Sequence, residues 1–417
     1  MTESARASPG GSDPGMGFRG FVALMAALMA MNALGIDSML AALPAIGRSL
    51  DVASENERQW IISIYVLGFG AAQIVWGPFA DRYGRKPIVV ASLTLFALLS
   101  LLVALAPSFG TMLAARFLQG IAASASRVLV VSIVRDCYSG RRMARVMSLS
   151  FIVFLCVPIL APTIGSAVLA ITGSWRLIFY LLAFYGFVTA MIAGFRLRET
   201  LHPDYRQPLS FGGVSLAMAR VVTNRNTIGY TLGSALSLGA LLGFINSIQQ
   251  IVADTFHAAR LFPLVFATTA ASMGVAAFLN SRLVERLGTR RISHTAMLWF
   301  TGIGLLHVLV AITGHETIGT FIVLQALAMF CQGLLGSNFG TMAMESMGDI
   351  AGTASSVQGF ISTCLAALIG VAIGQSFDGT TVPVAVGFSL VGLATVAVVL
   401  ITERGRLFHQ QHLQPAG

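Results

Sequence analysis

Twelve apolar stretches, each about 20 residues long, recur along this chain, and about 20 residues is what a helix needs to cross a bilayer. They fall at 20–45, 59–79, 88–106, 111–134, 144–170, 175–195, 227–251, 262–283, 292–313, 317–340, 351–375 and 382–402. A chain with this many spans folds as an all-α membrane protein, because only helices and closed barrels satisfy backbone polar groups in hydrocarbon. Composition agrees. Of 417 residues 56% are hydrophobic and 10% are charged, against about 25% charged in an ordinary soluble domain. A soluble enzyme, a disordered chain and a disulfide scaffold are excluded.

The net charge of +9 would suggest nucleic acid in a soluble protein. Here the cations are sorted by side. With the N-terminus in the cytoplasm, twenty Lys and Arg fall in cytoplasmic segments and four outside, namely Arg48, Arg58, Arg176 and Arg260. Arg116 and Arg127 remain within a span. This bias places both termini in the cytoplasm and accounts for the charge without nucleic acid. The four cysteines, Cys137, Cys156, Cys331 and Cys364, lack metal-ligand spacing and read as reduced thiols. No metal constellation is expected among the histidines, and His307, inside a span, reads as a packed neutral side chain.

The pattern divides the chain. Residues 1–17 read as a disordered cytoplasmic tail, 18–195 as an N-terminal six-helix bundle, and 196–226 as a cytoplasmic linker. Residues 227–403 read as a C-terminal six-helix bundle and 404–417 as a cytoplasmic tail. An internal repeat supports the division. Asp81-Arg82-Tyr-Gly84-Arg85-Lys86 follows span 2, and Glu285-Arg286-Leu-Gly288-Thr-Arg290-Arg291 follows span 8, offset by 204 residues. Parallel halves with a binding site at their interface are a transporter architecture.

Three motifs carry a resemblance. Gly77–Pro87 (GPFADRYGRKP) resembles the signature loop between helices 2 and 3 of the major facilitator superfamily. Arg116-Phe-Leu-Gln119-Gly120 resembles its helix-4 motif. Pro158-Ile-Leu-Ala-Pro162-Thr-Ile-Gly165-Ser166 is similar to the helix-5 motif of antiporters, with Ser166 where Gly is usual and Ala161 before the proline. Two further stretches, Ile36–Pro44 and Asp349–Ser355, are similar to the bicyclomycin/chloramphenicol-resistance (Bcr/CflA) type of twelve-span drug:proton antiporter. The resemblance implies the major facilitator fold, twelve helices in two six-helix bundles. It implies an inner-membrane exporter of small amphiphilic compounds that uses the proton gradient and no cofactor. Its partners would be the substrate, protons and membrane lipid, and the fold needs only one chain. The resemblance further suggests that Asp81 and Arg85 form a charge cluster with Asp136, a cytoplasmic latch that includes Gly77, Arg82, Gly84 and Lys86.

The residues themselves suggest roles. Of 17 carboxylates, Asp37 alone lies well within a span. An acid there faces a cavity, finds a partner or holds a proton, so it is either a proton and substrate site or a structural acid at the helix end. Arg116 sits at similar depth and could pair with Asp37, as a tunable contact or as a permanent brace. Arg127 lies eleven residues after Arg116 and so on nearly the same helical face. It lines the inward part of a cavity and contacts an anionic or carbonyl-rich substrate, or it snorkels to the cytoplasmic end. Tyr65, an aromatic with a polar tip, suits an amphiphilic ligand, and Asn246, Gln249 and Gln332 are further candidate contacts. Pro158, Pro162 and Gly165 suggest a kinked, closely packed helix. A proton-coupled importer of a small, possibly anionic, metabolite is the alternative that Arg127 keeps open.

Overall fold

In the computed structural model, residues 11–206 and 212–408 are described. Parts of the expected tails (1–10 and 409–417) and of the linker (207–211) lie outside the described residues. The described residues form helices and no strand. Twelve helices are long and apolar enough to cross a membrane. Their outer surfaces are apolar: Ile171 is 83% exposed, Phe195 78% and Phe184 67%. Such faces suit hydrocarbon rather than water.

The chain splits into two compact units. The first unit takes residues 1–53 and 64–215. Its helices are α1 (Phe18–Asp37), α2 (Leu43–Ser49), α3 (Trp60–Tyr83), α4 (Arg85–Ala104), α5 (Phe109–Cys137), α6 (Gly140–Thr172) and α7 (Arg176–Arg196). Within it α4 packs against α5 and α7, and α1 against α5 and α6.

The first span is not one continuous helix. Helix α1 stops at Asp37, a single 3-10 turn covers Leu40–Ala42, and α2 resumes at Leu43 with Pro44 in its first turn. Ser38 closes α1 by donating its amide and its hydroxyl to the Leu34 carbonyl, the hydroxyl at 2.6 Å. Helix α5 starts with a reciprocal Ser108/Thr111 capping box. Helix α6 carries Pro158 and Pro162 inside it and ends at Gly173 in the left-handed region, φ +66°.

The second unit takes residues 54–63 and 216–417, so the segment leading into α3 groups with it. Its spans are α9 (Arg225–Gln250), α10 (Phe262–Leu287), α11 (Thr289–Ile312), α12 (Ile318–Met344), α13 (Ala351–Gln375) and α14 (Val382–Thr402). Asn224 caps α9, and Thr317 caps α12. Helix α9 packs against α12, α13 and α14, and α11 against α12 and α14. The pairing of α1 with α6 and of α4 with α5 and α7 recurs as α9 with α13 and α11 with α12 and α14. The repeat seen in the two loops therefore extends to the helix packing. Between α7 and α9, the stretch expected as a plain polar linker also carries a short helix, α8 (Gly212–Thr223), with Ala217 and Val221 buried.

Candidate functional site

Asp37 sits where the first span breaks, and it is 4% exposed. The break is shaped from α6. A Cβ on Gly165 would run into the Ser38 carbonyl oxygen, so only glycine lets α6 approach here. The helix-5 glycine thus backs the very turn that presents Asp37.

Tyr65 and Arg116 form the centre of the first unit. Both are fully buried. The Arg116 guanidinium lies over the Tyr65 ring, 4.3 Å from its centroid, and 5.8 Å from that of Phe179. It donates to Gln119 Oε1 at 2.7 Å, and Gln119 Nε2 donates to Ser100 Oγ at 2.6 Å. Arg116, Gln119 and Gly120 of one motif thereby do three jobs. The arginine stacks, the glutamine anchors it, and Gly120 lets the Tyr65 backbone carbonyl come close, where a Cβ would collide. Asp37 and Arg116, placed at similar depth by the sequence, are not joined as an ion pair among the described residues. The Tyr65 hydroxyl is buried without a hydrogen-bond partner among the described residues. Tyr65 carries Arg116 on its ring, and its hydroxyl reaches Gly35, two residues before Asp37.

Arg127 lies mid-helix in α5 and is exposed, although Arg116 on the same face is buried. The exposed face continues through Val131, 47% exposed, to Arg135. One face of α5 is therefore closed at Arg116 and open from Arg127 to the end of the helix.

The polar candidates of the second unit divide differently. Gln332 spends both ends of its amide on Ser237, accepting from the hydroxyl at 2.5 Å and donating to the carbonyl. It is helix–helix glue between α9 and α12. Asn246 donates to Ser63 Oγ at 3.1 Å and to the Gly370 carbonyl at 3.0 Å. Its Oδ1 is buried without a partner among the described residues. Gln249 is 6% exposed. Nearby, Asn56 donates to the Gln375 and Phe377 carbonyls at 3.1 and 2.9 Å, and Gln250 donates to Asn56 Oδ1 at 3.0 Å. These side-chain amides tie residues 56–63 to the ends of α9 and α13 without a charge.

At the opposite end of each unit the ties are ionic. Arg85, buried, donates to Asp81 Oδ1 at 2.5 Å and to Asp136 Oδ2 at 3.2 Å. Gly84 precedes it at φ +104°, Arg82 is exposed and Lys86 is half-buried. Gly77 lies half-buried one helical turn before Asp81 on α3. The sequence reading missed Glu199. Its carboxylate accepts the backbone amides of Arg85 at 2.9 Å and Lys86 at 3.2 Å, capping the positive end of α4 from the end of the sixth span. Thr200 Oγ1 adds a 3.3 Å bond to Asp136 Oδ2.

The second unit also carries an arginine–carboxylate cluster after its loop, with different residues bonded. Arg290 reaches Glu345 with both terminal nitrogens, at 3.3 and 2.9 Å, and Glu403 with Nε at 2.9 Å. Tyr230 donates to Glu403 Oε1 at 2.5 Å and sits 3.2 Å from His294 Nε2. Gly288 takes φ +78°, as Gly84 takes +104°. Glu199 and Glu403 are 204 residues apart, the offset that relates Asp81 to Glu285. That spacing was the available signal for both glutamates.

His307 is not packed among apolar groups alone. Its Nε2 is 2.8 Å from Glu316 Oε1, with side chains 2% and 5% exposed, and Thr381 donates to Glu316 Oε2. Among the described residues there is no cluster of three or more His, Cys, Asp or Glu fit to hold a metal.

The comparisons with known proteins fit this geometry. The Major Facilitator Superfamily model matches residues 24–371. The chain is 30% identical to the uncharacterized MFS-type transporter YdgK of Bacillus subtilis, covering 86% of this chain and 89% of that protein. It is 26% identical to a bicyclomycin resistance protein homolog of Haemophilus influenzae, covering 92% and 96%. It is 29% identical to the multidrug resistance protein MdtL of Klebsiella pneumoniae, covering 89% and 94%. Among solved structures, the human organic anion transporter MFSD10 superposes with a TM-score of 0.66 at 16% identity, covering 92% of this chain and 99% of that one. At that identity the likeness is one of fold. A twelve-span chain with this loop repeat, matched over most of its length, belongs to the Major Facilitator Superfamily and is a membrane transporter rather than an enzyme.

Proposed function

We propose that this transporter is a proton-coupled antiporter that exports small amphiphilic drugs or toxic compounds across the bacterial inner membrane by alternating access. Both termini are cytoplasmic in this reading, and the proton gradient is the sole energy source. The observation that carries it is the Asp37–Tyr65–Arg116 constellation in the first unit. A carboxyl at the break of a span can hold a proton or face a cationic or polar group of substrate. Tyr65 and Arg116 form a buried cation–aromatic stack in the same unit. The relatives named for resistance to bicyclomycin and to multiple drugs support the substrate class.

In this cycle Asp37 exchanges proton for substrate, and the Asp81–Arg85–Asp136 cluster latches the cytoplasmic side. Proteoliposomes with an imposed pH gradient test it, scanning chloramphenicol-like and cationic compounds. Gradient-driven export that Asp37→Asn abolishes, with downhill exchange surviving, supports Asp37 as the coupling site. Full gradient coupling in the variant overturns that assignment.

The open α5 face at Arg127 favours one second reading, import of an anionic metabolite. It gains support if an anion accumulates down the imposed gradient and Arg127→Gln removes that uptake while drug compounds do not move.

A further inference from the structure

Two of the four arginines that run against the charge bias meet in one place. Arg48, in the last turn of α2, and Arg176, the first residue of α7, line a single cavity of about 370 Å³ with Ser49, Ser174 and Trp175. No carboxylate lines it, and neither arginine has an ion-pair partner among the described residues. Asp51, three residues beyond Arg48, makes no bridge to it. Arg176 donates to Ser49 Oγ at 3.3 Å and lies over the Trp175 ring at 4.4 Å. This contact holds the guanidinium at the mouth. The Trp175 indole is 3% exposed, and its N–H is buried without an acceptor. Helix α7, 21 residues long, begins at this cavity with no side-chain cap at its positive dipole end, although the Ile178 amide closes back on the Trp175 carbonyl at 3.2 Å.

Every one of these groups donates, and the lining supplies no anionic acceptor. A buried donor without an acceptor costs about 1–3 kcal/mol, and clustered cations repel. Arg48 alone has an ordinary explanation, since a cation suits the negative end of α2. That account leaves the indole N–H without an acceptor, and it leaves Arg176 with the Ser49 hydroxyl and the Trp175 ring but no anion among the described residues. We propose that this cavity binds a phosphate-type anion, whether the headgroup of an anionic phospholipid or free inorganic phosphate. Two guanidiniums and a helix N-terminus match phosphate oxygens in charge and donor geometry. On the orientation given above the site faces the outer leaflet. The anion chemistry itself does not depend on that orientation or on the transported substrate.

The test uses the purified full chain in neutral detergent. Binding is followed by thermal melting and native mass spectrometry with short-chain phosphatidylglycerol, short-chain phosphatidylcholine and inorganic phosphate. The expected result is saturable binding of phosphatidylglycerol over phosphatidylcholine, of inorganic phosphate, or of both. Arg176→Gln and Arg48→Gln should each weaken it at least about tenfold, the loss expected for one charge-assisted hydrogen bond. Phosphatidylglycerol without phosphate identifies the headgroup as the source, and phosphate without lipid preference identifies the free ion. Arg260→Gln, another arginine on the sparse side, should leave binding unchanged. Arg176→Lys keeps the charge and guards against a variant that merely misfolds. No anion binding, or binding equal in the wild type and both glutamine variants, overturns the proposal.

Discussion

The Arg116 guanidinium rests 4.3 Å from the centroid of the Tyr65 ring, and both side chains are fully buried. A buried cation on an aromatic face is worth up to about 2 kcal/mol, and here it also fixes where the Tyr65 hydroxyl points. Tyr65→Phe keeps the ring and removes a hydroxyl that is buried close to Gly35 without a partner among the described residues. It should fold as the wild type does and change the pH profile of flux. Tyr65→Leu should lower both melting temperature and flux. Arg116→Lys keeps the charge but loses the planar stack and part of the bond to Gln119, and flux should fall about tenfold. Flux against pH in proteoliposomes, beside melting curves, separates the three.

Gly165 should tolerate nothing larger. Alanine there meets the Ser38 carbonyl, and overpacking of this kind costs about 1–3 kcal/mol. Gly165→Ala should therefore reduce thermal stability in detergent and alter the accessibility of Asp37 to a carboxyl reagent. Ser166→Gly, next to it on α6, removes no such contact and should change melting by less than Gly165→Ala does.

A buried ionic cluster and an exposed ion pair should respond unequally. Arg290 is fastened to Glu345 and to the buried Glu403, 4% exposed. Arg290→Ala strands that carboxylate and should cost about 3–5 kcal/mol. Arg198–Asp13 is also an ion pair, but its side chains are 70% and 66% exposed. Breaking it with Asp13→Asn should move stability by less than about 1 kcal/mol. Paired melting curves at low and high salt check both.

His307 and Glu316 should behave as a coupled pair. Removing either leaves the other buried and unmatched, so His307→Gln and Glu316→Gln should each destabilise. The double variant should be less destabilised than the sum of the two, with a coupling energy of about 0.5–3 kcal/mol. A double-mutant cycle in detergent measures it.

The helices were legible because hydrocarbon forces each spanning backbone to satisfy itself. Twelve apolar stretches therefore became twelve apolar helices. Asp81, Arg85 and Asp136 were visible through the family resemblance, and in the structure Arg85 bonds both acids. Glu199, Glu345 and Glu403 were not, since an acid at a span end looks the same whether it meets water or an arginine. Glu316 sits in a five-residue connection that reads as solvent-exposed, yet its carboxylate is taken up by Thr381 and His307. Gln332 shows the converse. A mid-span amide can face a cavity or another helix, and its partner Ser237 lies 95 residues away. The break after Asp37 was hidden because Ser38–Ala42 is as apolar as the helices on either side.

The bonds that Glu199 and Thr200 make to the turns at Arg85 and Asp136 reassign several residues of the connecting segment. Ser12 and Pro14, bonded to Asp136, Thr200 and Arg198, join them from the start of the chain. Co-expressing the two halves as separate polypeptides is therefore a matter of where the scissors fall. A cut before Glu199 would hand the second fragment a capping acid that belongs to the first. A cut after Tyr205 would leave each fragment with its own set of end contacts, and complementation should favour that junction.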